Sequence, residues 1–264
     1  MAISKLLKQV KELSVKSQKK LPFIDTKKLR SKALPYFTLE IIKKYLRVQS
    51  YGIENIPKKG AAIIICNHSG FSGFDALMLY NEIQKNSKRT LHMVAHKLWF
   101  VGKPIRSFSE SFAFIKADKE SIAKALKEGK LVLIFPEGEE GNFKASHKRY
   151  KLQEFKRGFV RLALECDVPI ITSYVIGAEE THINLSKISW AKYIIGSSLP
   201  LPANILPLPI KWKIRFLPPR RLDQYDSQDR FKQDLVRKIA KQYQREHQRA
   251  IIRELRLSRH LILP

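Results

Sequence analysis

The sequence holds only two cysteines among its 264 residues, Cys66 and Cys166, and neither lies in a Cys-x-x-Cys or paired-histidine spacing. That excludes a disulfide framework and a thiolate metal site, and both read as small core residues of a chain in a reducing compartment. No stretch approaches the roughly 18 consecutive apolar residues that a spanning helix needs. Lys5, Lys8 and Lys11 interrupt every apolar stretch near the start, so a secretion signal is not expected either. A Gly-rich phosphate loop ending in Gly-Lys-Ser/Thr is missing, as are Gly-x-Gly-x-x-Gly and Gly-x-Ser-x-Gly, which leaves nucleotide hydrolysis and serine-hydrolase chemistry without support. No internal repeat is present. His92 and His96 are four apart but lack further ligands nearby, so no metal site is expected.

Acidic residues are the other shortage: 24 Asp and Glu stand against 50 Lys and Arg, a formal charge of +26. Residues 1–50 carry 13 basic and 3 acidic side chains, and residues 201–264 carry 15 and 6, so the two ends hold +19 of the total. A basic skin of this size favours a polyanionic surface, either nucleic acid or anionic lipid, and attracts acidic small substrates such as a pyrophosphate-bearing carrier. With 44% hydrophobic residues the chain buries a sizeable core, as one large domain with appendages or as two domains.

Ile3, Leu6, Leu7, Val10 and Leu13 recur at helical spacing between lysines, which makes residues 2–20 a basic amphipathic helix that either packs on the domain it precedes or lies on a membrane surface. Pro22 ends it. A helix is expected over 37–46 and a short strand over 48–51, followed by Gly52-Ile53-Glu54-Asn55-Ile56-Pro57 and a turn at Lys58-Lys59-Gly60. The apolar runs 61–66 and 131–135 are too short for helices and read as buried strands, as do 168–177, 91–95 and 112–115. Helices are expected over 76–84, 120–128 with Gly129 as its cap, and 157–166, and a polar basic surface loop over 141–156. Residues 199–210 are apolar but broken by prolines, an extended greasy loop whose exposure points to contact with something. Residues 212–216 alternate like a half-buried strand. A long basic helix is expected from 227 onward, striped by Phe231, Leu235, Ile239, Ile251, Ile252 and Leu255 and broken around 243–247. Strands alternating with helices predict an α/β fold, with a mostly parallel or mixed central sheet flanked by helices and basic amphipathic helical extensions at both ends. The expected divisions are 1–45, 46–222 and 223–264.

The run 61–66 stops abruptly at Asn67-His68, Gly70 and Gly73 make a turn, and Asp75 comes next. One loop thus delivers an imidazole and a carboxylate to the carboxyl end of a buried strand, where open α/β sheets hold their ligands. The two side chains are either a reacting pair, or a loop histidine and a carboxylate favoured by a helix N-terminus. The run 131–135 likewise ends in Pro136-Glu137-Gly138.

The ordered set Asn67-His68 with Asp75, Phe112-Ala113-Phe114-Ile115-Lys116, Phe135-Pro136-Glu137-Gly138 and Val168-Pro169-Ile170 resembles the lysophospholipid acyltransferase superfamily. This superfamily includes glycerol-3-phosphate, 1-acylglycerol-3-phosphate and mono/diacylglycerol-type acyltransferases. Gly177-Ala178-Glu179-Glu180 is similar to the ending of the fourth block in bacterial members, and the resemblance covers about residues 45–220. Three features depart from the usual pattern. Six residues separate His68 from Asp75, the longer loop of the diacylglycerol-type branch. Lys116 stands where an arginine is usual, and Glu139-Glu140 comes after the third block, with Lys144, Lys148, Arg149, Lys151, Lys156 and Arg157 near enough in sequence to offset it.

The resemblance implies a peripheral membrane enzyme on the cytoplasmic face, moving a fatty acyl group from acyl-CoA or acyl-carrier protein to a glycerolipid or lysophospholipid hydroxyl. It requires no cofactor and no metal. His68 would be the general base and Asp75 its orienting partner. Asn67, Ser69, Lys116, Phe135, Pro136, Glu137, Gly138, Lys156 and Arg157 would shape the substrate site, with Glu137 either binding acceptor hydroxyls or bracing its loop. The expected partners are an anionic membrane surface, the lipid acceptor and the acyl donor. The alternatives are a catalytically silent membrane-binding relative and a basic nucleic-acid-binding protein, although neither a recognition fold nor an aromatic-basic platform is apparent.

Overall fold

A computed structural model describes residues 37–69, 73–191, 193, 199–225 and 232–257. The expected helix over 2–20 and the stripe residue Phe231 lie outside them. The described residues from Leu39 onward form one compact unit. The described strands are β1 (Gln49–Tyr51), β2 (Ala62–Ile65), β3 (Leu91–Ala95), β4 (Phe114–Lys116), β5 (Leu131–Ile134), β6 (Ile170–Ile176), β7 (Asn184–Ile188), β8 (Leu199–Pro202) and β9 (Lys213–Phe216). The described α-helices are α1 (37–45), α2 (Phe74–Ser87), α3 (Lys103–Ser111), α4 (Lys119–Lys127), α5 (Glu139–Asn142), α6 (Gly158–Cys166), α7 (Ala178–Thr181) and α8 (Gln233–Leu257).

Among the described residues, seven strands form one sheet in the order β1-β9-β6-β2-β5-β3-β4, and β7 and β8 make a separate antiparallel pair. Neighbours in the large sheet run parallel except β6 and β9. The mixed sheet flanked by helices is the architecture that the strand–helix alternation implies. The runs 61–66 and 131–135 are apolar throughout because their strands are covered on both faces. Ile63, Ile65 and Val132 join one core cluster with Phe159 and Val160 of α6 and Val236, Ile239 and Tyr243 of α8. Ile64 and Leu133 alternate to the opposite face, and α2, with Met78, Leu79 and Ile83 buried, packs against β3. Each fully buried aliphatic side chain contributes about 1.5–3 kcal/mol, so β2, whose four residues are all buried, holds the centre of the sheet.

Four local expectations are revised. Helix α8 runs unbroken through 243–247, because Tyr243 and His247 lie one turn apart on its buried stripe. Strand β4 begins at Phe114 rather than Phe112, since Phe112 caps α3 and Ala113 takes a left-handed φ of 55°. The segment 141–156 is more than a surface loop, with Tyr150, Leu152 and Phe155 buried and a short helical turn at Ser146–Lys148. Part of the greasy loop, Leu199–Pro202, is strand paired with β7, which had no sequence signal, and neither did the 3-10 turn Lys97–Phe100 or α3.

Candidate active site

The register Ile65↔Ile134 makes β2 and β5 end side by side, so Asn67-His68 and Phe135-Pro136-Glu137 leave the sheet as neighbours. His68 Nδ1 lies 2.7 Å from Asp75 Oδ2. Asp75 sits in the first turn of α2 and is 0% exposed, whereas the His68 side chain is 17% exposed. The aspartate oxygens also accept the Ser69 N–H at 2.8 Å (Oδ2) and the Ala76 N–H at 2.8 Å (Oδ1). Because Oδ2 already accepts from one N–H, the network assigns the imidazole hydrogen to Nδ1 and leaves the Nε2 lone pair free. The Phe135 ring stacks on the imidazole at 3.9 Å between centroids and 12° between planes, fixing its tilt. The six-residue spacing therefore closes the contact, because strand and helix position its two ends separately. The turn residues 70–72 lie outside the described ones.

Glu137 is 1% exposed and spends both carboxylate oxygens inside the protein. Oε1 accepts the His68 N–H at 3.1 Å, and Oε2 accepts the Gln153 N–H at 2.7 Å, with Lys144 Nζ 3.6 Å away. Of the two roles open to Glu137, this geometry matches the loop brace. The Lys144 side chain, only 5% exposed, also pairs with Glu179 Oε1 at 2.9 Å, and Glu179 Oε2 accepts the Tyr150 N–H at 2.8 Å. Burial drives the Glu179 carboxyl up from 4.5 to about 7, against the opposing pull of Lys144. Burial and the neighbouring Glu180 carboxylate, which accepts the Tyr150 hydroxyl, push the Tyr150 hydroxyl well above its usual range. Gly141 is required beneath this cluster, since a Cβ there would stand 2.6 Å from that of Glu137. The partner of the acidic pair after the third block is Lys187, whose Nζ lies 2.6 Å from Glu140.

Asn67 is buried and stitches β2 to β6, donating from Nδ2 to the Val175 carbonyl at 3.1 Å and accepting the Val175 N–H at 2.9 Å. Its side chain continues the ladder where the backbone turns away, and both polar ends are used. Ser69 is buried as well, and its hydroxyl has no protein partner among the described residues. Pro136 accepts the Lys156 N–H at 2.8 Å. The Lys156 ammonium folds over Gly138, where a Cβ would be 2.7 Å from Nζ, and Gly138 holds a left-handed φ of 60°. Arg157 is exposed beside it at the start of α6. Lys116 is exposed at the end of the edge strand β4, three strands from β2, roughly 14 Å across the sheet. The structure brings His68, Asp75, Phe135, Glu137, Gly138 and Lys156 together and leaves Lys116 apart. Of the residues that support these contacts, Glu179 stands out in the sequence only as part of the fourth-block ending, Lys144 only as one of several cations offsetting Glu139-Glu140, and Gln153 carries no signal. Cys66 is no nucleophile, because burial, then the Asp75 charge, push its thiol well up. No group of three metal-ligating side chains occurs among the described residues.

The family model described as Acyltransferase matches residues 47–176. An uncharacterised protein of Mycobacterium tuberculosis is 34% identical over 199 residues, 71% of this chain and 56% of that protein, so the chain spans little more than half the length of the curated relatives it matches first. The 1-acyl-sn-glycerol-3-phosphate acyltransferase of Bacillus subtilis is 29% identical over 160 residues, 58% of this chain and 73% of that one. The crystal structure of the 1-acyl-sn-glycerophosphate acyltransferase of Thermotoga maritima shares the fold, with a TM-score of 0.60 at 16% identity over 89% of this chain and 84% of that chain. The matched stretch contains His68, Asp75 and the Phe135–Gly138 block, and residues 47–176, just under half of the chain, are an acyltransferase domain of the lysophospholipid acyltransferase superfamily.

Proposed function

We propose that this protein transfers a fatty acyl group from a thioester, either acyl-CoA or acyl-carrier protein, to a hydroxyl of a glycerolipid. The observation that carries the reading is the 2.7 Å contact between His68 Nδ1 and the buried Asp75, which leaves Nε2 of the part-exposed imidazole to act as the base. In this mechanism Nε2 takes the acceptor hydroxyl proton while the oxygen attacks the thioester carbonyl. Asp75 steadies the imidazolium that forms. The tetrahedral intermediate then expels the thiolate, the C–S bond breaks, and the thiolate recovers the proton from Nε2. No acyl-enzyme is formed.

The proposed setting is the cytoplasmic face of an anionic membrane. No described helix is long and apolar enough to cross a membrane. Two exposed apolar patches, however, follow in sequence β6, which neighbours β2, and β3, which lies on the far side of β5. Leu199, Leu201, Ile205 and Leu206 lie beyond β6, and Trp99, Val101, Ile105 and Phe108 lie beyond β3. Apolar insertion beside Lys97, Lys103 and Arg106 suits an interfacial element.

The test is mass spectrometry of the lipids formed from labelled acyl-CoA and a panel of lysolipid, glycerol 3-phosphate and neutral glyceride acceptors. His68→Ala should lower transfer by roughly 10²- to 10⁴-fold without unfolding the protein. Wild-type activity in that variant removes the assignment.

A further inference from the structure

Helix α8 buries one stripe in the core and turns another outward. Lys241, Arg245 and Arg249 stand on that outer line, spaced by four residues, and so span about 12 Å along the axis. With Gln244 and Gln248 they line a groove of about 480 Å³. Among the described residues none of these three cations is in an ion pair, whereas other cations of this region are engaged: Arg220 with Glu246, Lys213 and Arg215 with Glu254, and Arg221 with Asp167 and Asp223. Three unneutralised like charges along one helix line repel one another, and a bound polyanion would relieve that.

The groove is tied to the candidate active site by a short chain of hydrogen bonds. Gln248 Nε2 donates to the Tyr150 carbonyl at 2.7 Å and its Oε1 accepts the Leu152 N–H at 2.8 Å. Gln244 Nε2 donates to the Gln153 carbonyl at 2.9 Å, and the N–H of Gln153 is the one that Glu137 accepts. Exposed Lys151, Lys156 and Arg157 belong to the same segment, and the Lys156 ammonium reaches over Gly138. Cations thus lead from the catalytic loop to the helix.

We infer that this groove holds the phosphorylated nucleotide of a coenzyme A thioester, with the pantetheine arm running past Lys156 to place the thioester at His68. This assignment rests on the acyl-transfer reading and names its donor. The volume lies in the range of small-molecule sites, about 300–1,000 Å³. The three cations match the 3′-phosphate and 5′-diphosphate of the nucleotide in number. Their short span fits a compact polyanion better than the face of an acidic carrier protein, whose docking normally covers about 800 Å² on each partner.

The experiment uses the full-length protein and the triple variant K241Q/R245Q/R249Q, with circular dichroism confirming that both are folded. Calorimetry with coenzyme A and with adenosine 3′,5′-bisphosphate reads binding without any turnover, so it gives an answer even if acyl transfer itself fails. The variant should weaken both ligands about tenfold or more, since charge-assisted phosphate contacts are lost. In turnover assays KM for acyl-CoA should rise by a similar factor with kcat little changed, while acyl-pantetheine, which lacks the nucleotide, is used equally well by both proteins. Unchanged binding of both ligands overturns the proposal, as does an equal loss with acyl-pantetheine. A defect confined to acyl-carrier protein, or to flotation with anionic vesicles, overturns it in favour of that partner.

Discussion

Glu179→Gln isolates a buried charge that links the fourth sequence block to the loop carrying Glu137. In the folded protein burial holds the Glu179 carboxyl near 7, compared with 4.5 when it is solvated. Lys144 and the Tyr150 N–H face it favourably, while the Glu137 charge opposes its ionisation. A carboxyl whose folded value is raised adds stability that is complete below 4.5 and is lost as the pH climbs through about 7. At about 1.36 kcal/mol per pH unit, the loss between pH 4 and pH 8 is about 3 kcal/mol. Glutamine does not titrate, so the variant keeps whatever offset it has at pH 4 and gains on the wild type by that amount as the pH rises. For a chain of this size the gain corresponds to roughly 6–12 °C in melting temperature. Melting both proteins at half-unit steps from pH 4 to 8 and plotting the difference removes every titration they share. A difference that stays flat across the window would refute the buried-carboxylate account. One that moves the other way would mean that Lys144 outweighs burial.

Three further outcomes rest on named contacts. Glu137→Gln replaces an acceptor of two backbone N–H groups with an amide that presents a donor to one of them, so kcat should fall by roughly tenfold or more, and further than in Glu139→Gln or Glu140→Gln; equal small effects at all three positions would remove the brace. His247 is buried with neither ring nitrogen hydrogen-bonded among the described residues, and burial depresses it to about 3 from 6.5, so it withdraws stability as the pH falls from 6.5 toward 3. His247→Leu should therefore melt higher than the wild type at pH 5 and by a smaller margin at pH 8, and a lower melting point at both would show that the ring's contacts with Phe155 and Tyr174 outweigh its lost hydration. Leu201→Ser/Ile205→Ser/Leu206→Ser should reduce the salt-resistant part of binding to anionic vesicles in flotation, and undiminished recovery would take the exposed loop out of the membrane contact.

What the sequence revealed and what it hid divide along a physical line. The runs 61–66 and 131–135 announce themselves because burial on both faces removes every polar residue from them, and the abrupt ends at Asn67 and Pro136 mark where they leave the sheet. His68 and Asp75 were legible as a pair for the same reason, one closing a strand and the other opening a helix. The supporting residues were not. Lys144 looked like one lysine among many in a basic segment, and only the fold places it between Glu137 and Glu179. The stretch 243–247 read as a helix break, although Gln244 within it and Gln248 just after it hold the loop at 150–153 in place. Helix α3 escaped notice because Gly102 and Pro104 punctuate its start and its apolar side chains face outward.

The boundary of the family match and the boundary of mechanical integrity do not coincide in this chain. The family match stops at residue 176, the last residue of β6, yet among the described strands β1 inside the match pairs only with β9 outside it, and β9 is what joins it to β6. The helix that anchors the loop beneath Glu137 begins more than fifty residues further on, at Gln233. A fragment cut to the family match would lose one sheet edge, the cover over Ile63 and Val132, and the tether of the segment that braces Glu137. The family match takes up about half of the chain, but the contacts that hold the imidazole's surroundings in place reach as far as α8.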